Sequence, residues 1–254
     1  MINRMSLTIG TTRFIGAAAL SLSAYSLSGC RGKVIQPEVC QNLSQSTCSN
    51  EPINISVADP AYQPYEPYLI DRTNQLLAAI NPCAHSGLQQ IVFTPNTVNG
   101  AAGERVCLTY ESTDGNSQTA CSINISTIWM DKEKHSIDPG VPHFWEYSLF
   151  HELGHQVFSN ICDRGGFETI SFDAHGLPAS NQEQDFIYSY SPFPDYKFPS
   201  ALAFPKEDFA YSFASFIMDR DQFRKKAGQS VMMAEKYEVL KEDFFAGQEF
   251  TTAP

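Results

Sequence analysis

An α+β fold is what this sequence predicts, with a small mixed sheet followed by helices. Strand-like runs at 88–94, 106–111 and 120–130 all fall in the first half of the chain. Three- and four-residue apolar periodicity dominates from residue 142 onward. Residues 65–254 are enough for one hydrophobic core, and no internal repeat or second long apolar segment interrupts them.

The chain opens with Arg4 and Arg13 ahead of a largely apolar run, Phe14 to Leu27, too short and too rich in Ala and Ser to span a membrane. That run ends in Leu27-Ser28-Gly29-Cys30, which resembles the lipobox of bacterial lipoprotein signal peptides. The resemblance implies that residues 1–29 are a signal peptide cleaved before Cys30, whose thiol and amine are then lipidated. Arg31 follows in place of a retaining aspartate, so the expected location is the bacterial cell envelope, at the outer membrane. Residues 30–64 are rich in Ser, Asn, Gln and Pro with little periodicity, and read as a tether.

Pro67 to Ile80 carries a helical pattern, and Leu88 to Thr94 reads as a strand. The runs Val106 to Glu111 and Ala120 to Met130 flank Asp114-Gly115, a hairpin signal that sets Cys107 opposite Cys121. Alternation at Ile123 and Ile125 makes Cys121 to Met130 the candidate edge strand. Seven cysteines less Cys30 leave an even six, as an oxidising compartment requires, and Cys40 with Cys48 and Cys83 with Cys162 would complete the pairing. No paired Cys-x-x-Cys supports a zinc-thiolate cluster.

The next helix is expected from about Pro142 to Ser159. Proline suits its first turn, and Phe144, Tyr147, Ser148, His151 and His155 share one broad face, while Phe150, Leu153 and Val157 form an apolar stripe. On it stands His151-Glu152-Leu153-Gly154-His155. At about 100° per residue two histidines four apart lie about 40° from one another, so both imidazoles can grip one ion with Glu152 beside it. With 6 histidines in 254 residues, such a match arises by chance about 0.01 times per chain.

A hydrolytic zinc needs a third protein ligand and an open position. Metzincin spacing would need glycine at 158 and histidine at 161, where Phe158 and Ile161 stand. About twenty residues on, His175 lies in a loop-like stretch. Further on, Pro205 to Ile217 predicts a helix, with acidic residues in its first turn and an aromatic stripe at Phe209, Phe213 and Phe216. Glu207 stands off that stripe on the side of Ala210 and Ala214, whose small side chains allow close approach to the histidine helix, with Gly154 giving room opposite. Spacing alone leaves His175 and Glu207 both open, and Glu207 and Asp208 equally suit a helix dipole.

His151-Glu152-x-x-His155 followed by Glu207-Asp208-Phe209-Ala210-x-x-Phe213 resembles the gluzincin metallopeptidases, in particular their lethal-factor-like branch. The resemblance covers about residues 120–220. It implies a zincin-like metallopeptidase domain with a small mixed sheet, an active-site helix and C-terminal helices. By the same resemblance His151, His155 and Glu207 would hold Zn2+, and Glu152 would be the catalytic carboxylate. Two positions depart from the family: its second helical glutamate is Tyr211 here, and Ser200, Ala201 and Leu202 occupy the stretch of its catalytic tyrosine. Among Tyr188, Tyr190, Tyr196 and Tyr211, Tyr196 is the first choice as donor to a developing oxyanion.

Net charge is −11, and removing residues 1–29 takes away two basic and no acidic residues. Nucleic acid is therefore excluded as an expected partner, and membrane contact would come from the lipid on Cys30. The expected partner is a peptide or protein substrate, and a monomer is expected. A zincin fold without turnover, serving as a peptide-binding or structural envelope component, is the alternative, and a zinc amidohydrolase is a third reading.

Overall fold

Val57, Ile91, Phe93, Ile123 and Ile125 are buried at alternate positions of three neighbouring strands, and that period of two sets the inner face of a four-stranded sheet. The computed structural model describes residues 52–80, 82–85, 87–97, 101–111, 117–132, 144–160, 166–173, 177–180, 182, 185–187, 204–245, 247 and 249–250. Within them the strands are β1 (Asn54–Val57), β2 (Leu88–Thr94), β3 (Gly103–Glu111) and β4 (Ser117–Ser126). Their spatial order is β1-β2-β4-β3. β1 with β2 and β2 with β4 are parallel, whereas β3 with β4 is antiparallel. The fold class is thus α+β with a mixed sheet, as the sequence predicts.

The parallel step from β1 to β2 needs a crossover, which helix α1 (Glu66–Ala78) supplies, with Leu69, Leu76 and Leu77 buried. β2 has the bounds expected of it. The β3–β4 hairpin pairs Cys107 with Cys121 directly, and their sulfurs lie at bonding distance, 2.09 Å. The other two proposed cysteine pairs fall outside the described side chains.

Three expectations need correction. The stretch read as a tether to residue 64 contains β1, whose Val57 is buried against the core, so the sheet begins before residue 65. Only four residues long and half polar, β1 gains its order from pairing with β2, which no local pattern reveals. The strand expected to run to Met130 ends at Ser126, where pairing with both neighbours stops, and α2 (Thr127–Lys132) follows. Thr127 is fully buried there and its hydroxyl donates to Asp59 Oδ2 at 2.5 Å. Finally, Cys121 to Met130 is not the edge strand: β4 lies between β2 and β3, and β3 is outermost.

Helix α3 (Phe144–Asn160) packs on β3 and β4 with Leu149, Phe150 and Leu153 wholly buried, and Trp145 meets Phe93 edge to face. The short α4 (Phe167–Ser171) leads toward α5 (Pro205–Met218), which lies against α3. Helices α6 (Arg220–Ala227) and α7 (Val231–Val239) and a π-turn, Leu240–Phe244, complete the domain. Phe213 and Phe216 of α5 stack in an aromatic layer with Phe245, and Phe223, Tyr237 and Phe250 surround Phe216. Burying each such ring stabilises by about 1.5–3 kcal/mol, which fixes the roll of α5 about its axis and leaves its opposite face toward α3. Among the described residues no helix is long and apolar enough to cross a membrane.

Candidate metal centre

The α3–α5 contact is set by small residues. Ala210 and Ala214 are wholly buried, and a β-carbon placed on Gly154 would come within 2.8 Å of the Ala210 α-carbon. A glycine inside a helix costs about 1 kcal/mol against alanine, so its place here is explained by packing. Tyr147, one turn before His151, ties the helices further: its hydroxyl bonds Ser215 Oγ at 2.9 Å and donates to the Tyr211 carbonyl at 3.3 Å.

Across that contact three side chains converge. His151 Nε2 and His155 Nε2 are 3.1 Å apart, and each lies 3.5 Å from Glu207 Oε2. Ligands about 2.0–2.1 Å from a tetrahedral zinc stand about 3.3 Å from one another. The triangle therefore has the size of one face of such a tetrahedron, and its donors, two imidazole nitrogens and a carboxylate oxygen, suit zinc. All three side chains are partly exposed, with 13%, 14% and 19% of their surfaces accessible. Burial pushes the Glu207 carboxyl upward, but hydrogen bonding and charge from His151 and His155 outweigh it and hold it well below the usual carboxylate range.

Glu152, which follows His151 in the chain, is buried under the first residue of β3. A β-carbon on Gly103 would lie 3.0 Å from Glu152 Cγ and 3.3 Å from its Oε1, so glycine makes room for the carboxylate. Two residues along the same face of β3, Arg105 reaches the end of α3. Its guanidinium donates to the His155 carbonyl at 3.1 Å, Gln156 Oε1 at 2.8 Å and Ser159 Oγ at 2.9 Å. The outer strand is thereby locked in register with the histidine helix.

Two buried ion pairs hold the helices from behind. Glu146, in the first turn of α3, takes both Nε and Nη2 of Arg72 at 2.7 and 3.2 Å, and the hydrogen bond to it raises the arginine's pKa. Asp208, next to Glu207, accepts from Lys236 Nζ at 2.8 Å, and both side chains are essentially inaccessible. Lys236 also donates to the Asp185 carbonyl at 2.9 Å and lies 4.3 Å from the centre of the Phe186 ring. Burial pushes the Asp208 carboxyl up and the Lys236 ammonium down, each opposed by the partner's charge.

His151, His155 and Glu207 come together, the set that the family resemblance implies and that spacing alone left open, and Glu152 lies under Gly103. Tyr196, with Tyr188, Tyr190 and His175, lies outside the described residues. Tyr211, one turn after Glu207, rests with its ring centre 4.3 Å from that of His151. Arg105, Gly103, Arg72 and Lys236 were not legible as site residues, since each is brought in by a distant element; only a glycine opening a strand hinted at close approach. Comparison with protein-family models finds none that matches, and comparisons with curated proteins and with solved structures find no match either.

Proposed function

We propose that this protein is a zinc-dependent metallopeptidase of gluzincin type, tethered to the bacterial envelope through Cys30. The observation that carries the reading is the His151–His155–Glu207 triangle, sized for a tetrahedral ion, on a helix where Glu152 follows His151. His151, His155 and Glu207 would hold a zinc ion, which would supply Lewis-acid chemistry for the scissile carbonyl and for water activation. Glu152, sheltered under Gly103, accepts the proton of the attacking water and delivers it to the leaving amine. The outer position of β3, whose first residue Gly103 lies over Glu152, supports an extended peptide as substrate. The N-terminal lipobox and the paired Cys107 and Cys121 support an exported chain.

The test is zinc content and peptide-library cleavage measured on the same purified protein. Wild type should carry about one zinc and cleave; Glu207→Ala should lose zinc; Glu152→Gln should keep zinc and lose turnover. Wild-type turnover in Glu152→Gln would refute the mechanism, and zinc without any cleavage would favour a peptide-binding protein.

A further inference from the structure

His151 differs from an ordinary zinc-binding histidine in one respect. Ligating histidines nearly always donate their second ring N–H to a carboxylate, a carbonyl or water, and that bond fixes the ring. Here His151 Nδ1 is buried with no hydrogen-bond partner among the described residues. What the ring meets is Tyr211, its centre 4.3 Å away and its plane tilted by 49°. Tyr211 is buried and held in turn, because α5 is fixed by its aromatic layer and by the Tyr147 hydroxyl on the Tyr211 carbonyl.

On the reading of this triangle as a metal site, we propose that Tyr211 is the positioning residue for His151. Its aromatic face, not an acceptor, sets the orientation of the imidazole and so the direction of Nε2 toward His155 and Glu207. The edge-on contact of His151 with His155, ring centres 4.7 Å apart at 86°, adds a second ring contact to the restraint. Restraint by packing transmits less electron density to the ligand than a carboxylate would, and it acts through the ring of residue 211.

The test is competition of the purified protein with a chromophoric chelator for Co2+ and for Zn2+, read with the visible absorption of bound cobalt. Tyr211→Phe should bind within about threefold of wild type and keep the cobalt spectrum. Tyr211→Leu, which fills the space without a ring face, should bind about 10- to 100-fold more weakly and change the spectrum. Equal affinity and spectra in Tyr211→Leu and wild type, with Glu207→Ala losing the metal, would overturn the role of Tyr211 alone. Absence of cobalt and zinc from wild type would overturn the metal reading and this assignment with it. A second measurement needs no variant: in zinc-loaded wild type the His151 Nδ1 proton should lie upfield of a hydrogen-bonded imidazole proton, shifted by the tyrosine ring. A strongly downfield proton, as a carboxylate acceptor produces, would overturn the assignment.

Discussion

On the proposed reading of the triangle as a zinc site, Gly154→Ala should separate metal binding from folding. The added carbon would sit 2.8 Å from the Ala210 α-carbon and 3.3 Å from its β-carbon and carbonyl oxygen, where ordinary contact begins at 3.4 Å. Because the obstacle is backbone, no rotamer relieves it, and α3 and α5 must part by about 0.6 Å or more. Overpacking of this kind costs about 1–3 kcal/mol, while alanine returns about 0.5–1 kcal/mol of helix propensity. The fold survives that difference. The triangle does not, because its two long edges join the separating helices: 3.5 Å becomes about 4 Å, against a tolerance of about 0.2 Å in each metal–ligand distance. Zinc affinity should fall at least about tenfold, equivalent to about 1.4 kcal/mol, while urea unfolding of the metal-free protein shifts by about 0–2.5 kcal/mol. Chelator competition alongside urea melts reads both. Wild-type zinc affinity in Gly154→Ala would refute the claim that this glycine sets the spacing of the ligands.

Other perturbations reach the supports of the site. Arg105→Gln should lower stability by about 1.5–3 kcal/mol through loss of charged hydrogen bonds to the end of α3, seen as a reduced urea midpoint; an unchanged midpoint would remove Arg105 as the tie between β3 and α3. Lys236→Met leaves Asp208 buried without its cation and should cost about 3–5 kcal/mol, whereas Lys236→Met with Asp208→Asn should recover much of it. Equal losses in the single and double variants would show that packing, not charge, dominates there. Burial lowers the pKa of His85, so below about pH 6.5 the unfolded chain takes up a proton that the folded chain refuses. Stability of metal-free protein should therefore fall on acidification from about 6.5 until the folded histidine itself titrates. His85→Gln should flatten that slope, and an identical pH profile would contradict it.

Much of the fold was legible because short-range rules govern it. The bounds of β2 follow from apolar content between turn signals, and the Cys107–Cys121 pairing follows from the hairpin around Asp114-Gly115. The histidine helix and the glutamate helix each announce their buried stripe through periodicity. β1 was missed because four half-polar residues make a strand only when a parallel neighbour is present, and that neighbour lies past a crossover helix. The end of β4 at Ser126 was missed for a related reason: its sequence continues apolar, but its partners do not continue beside it.

Sequence by itself determined two donors of the candidate centre, histidines one turn apart with a carboxylate between them, and left His175 and Glu207 both open as the third. Helical periodicity fixes the first three on one element without reference to anything else. Tertiary structure decided that Glu207 comes within 3.5 Å of both imidazoles, because Gly154 and Ala210 bring the two helices into contact. It also decided that Asp208, one residue on, points away to a buried lysine, and that His151 meets the face of Tyr211. Such pairings join residues tens of positions apart, and only the packing of whole elements brings them within bonding distance.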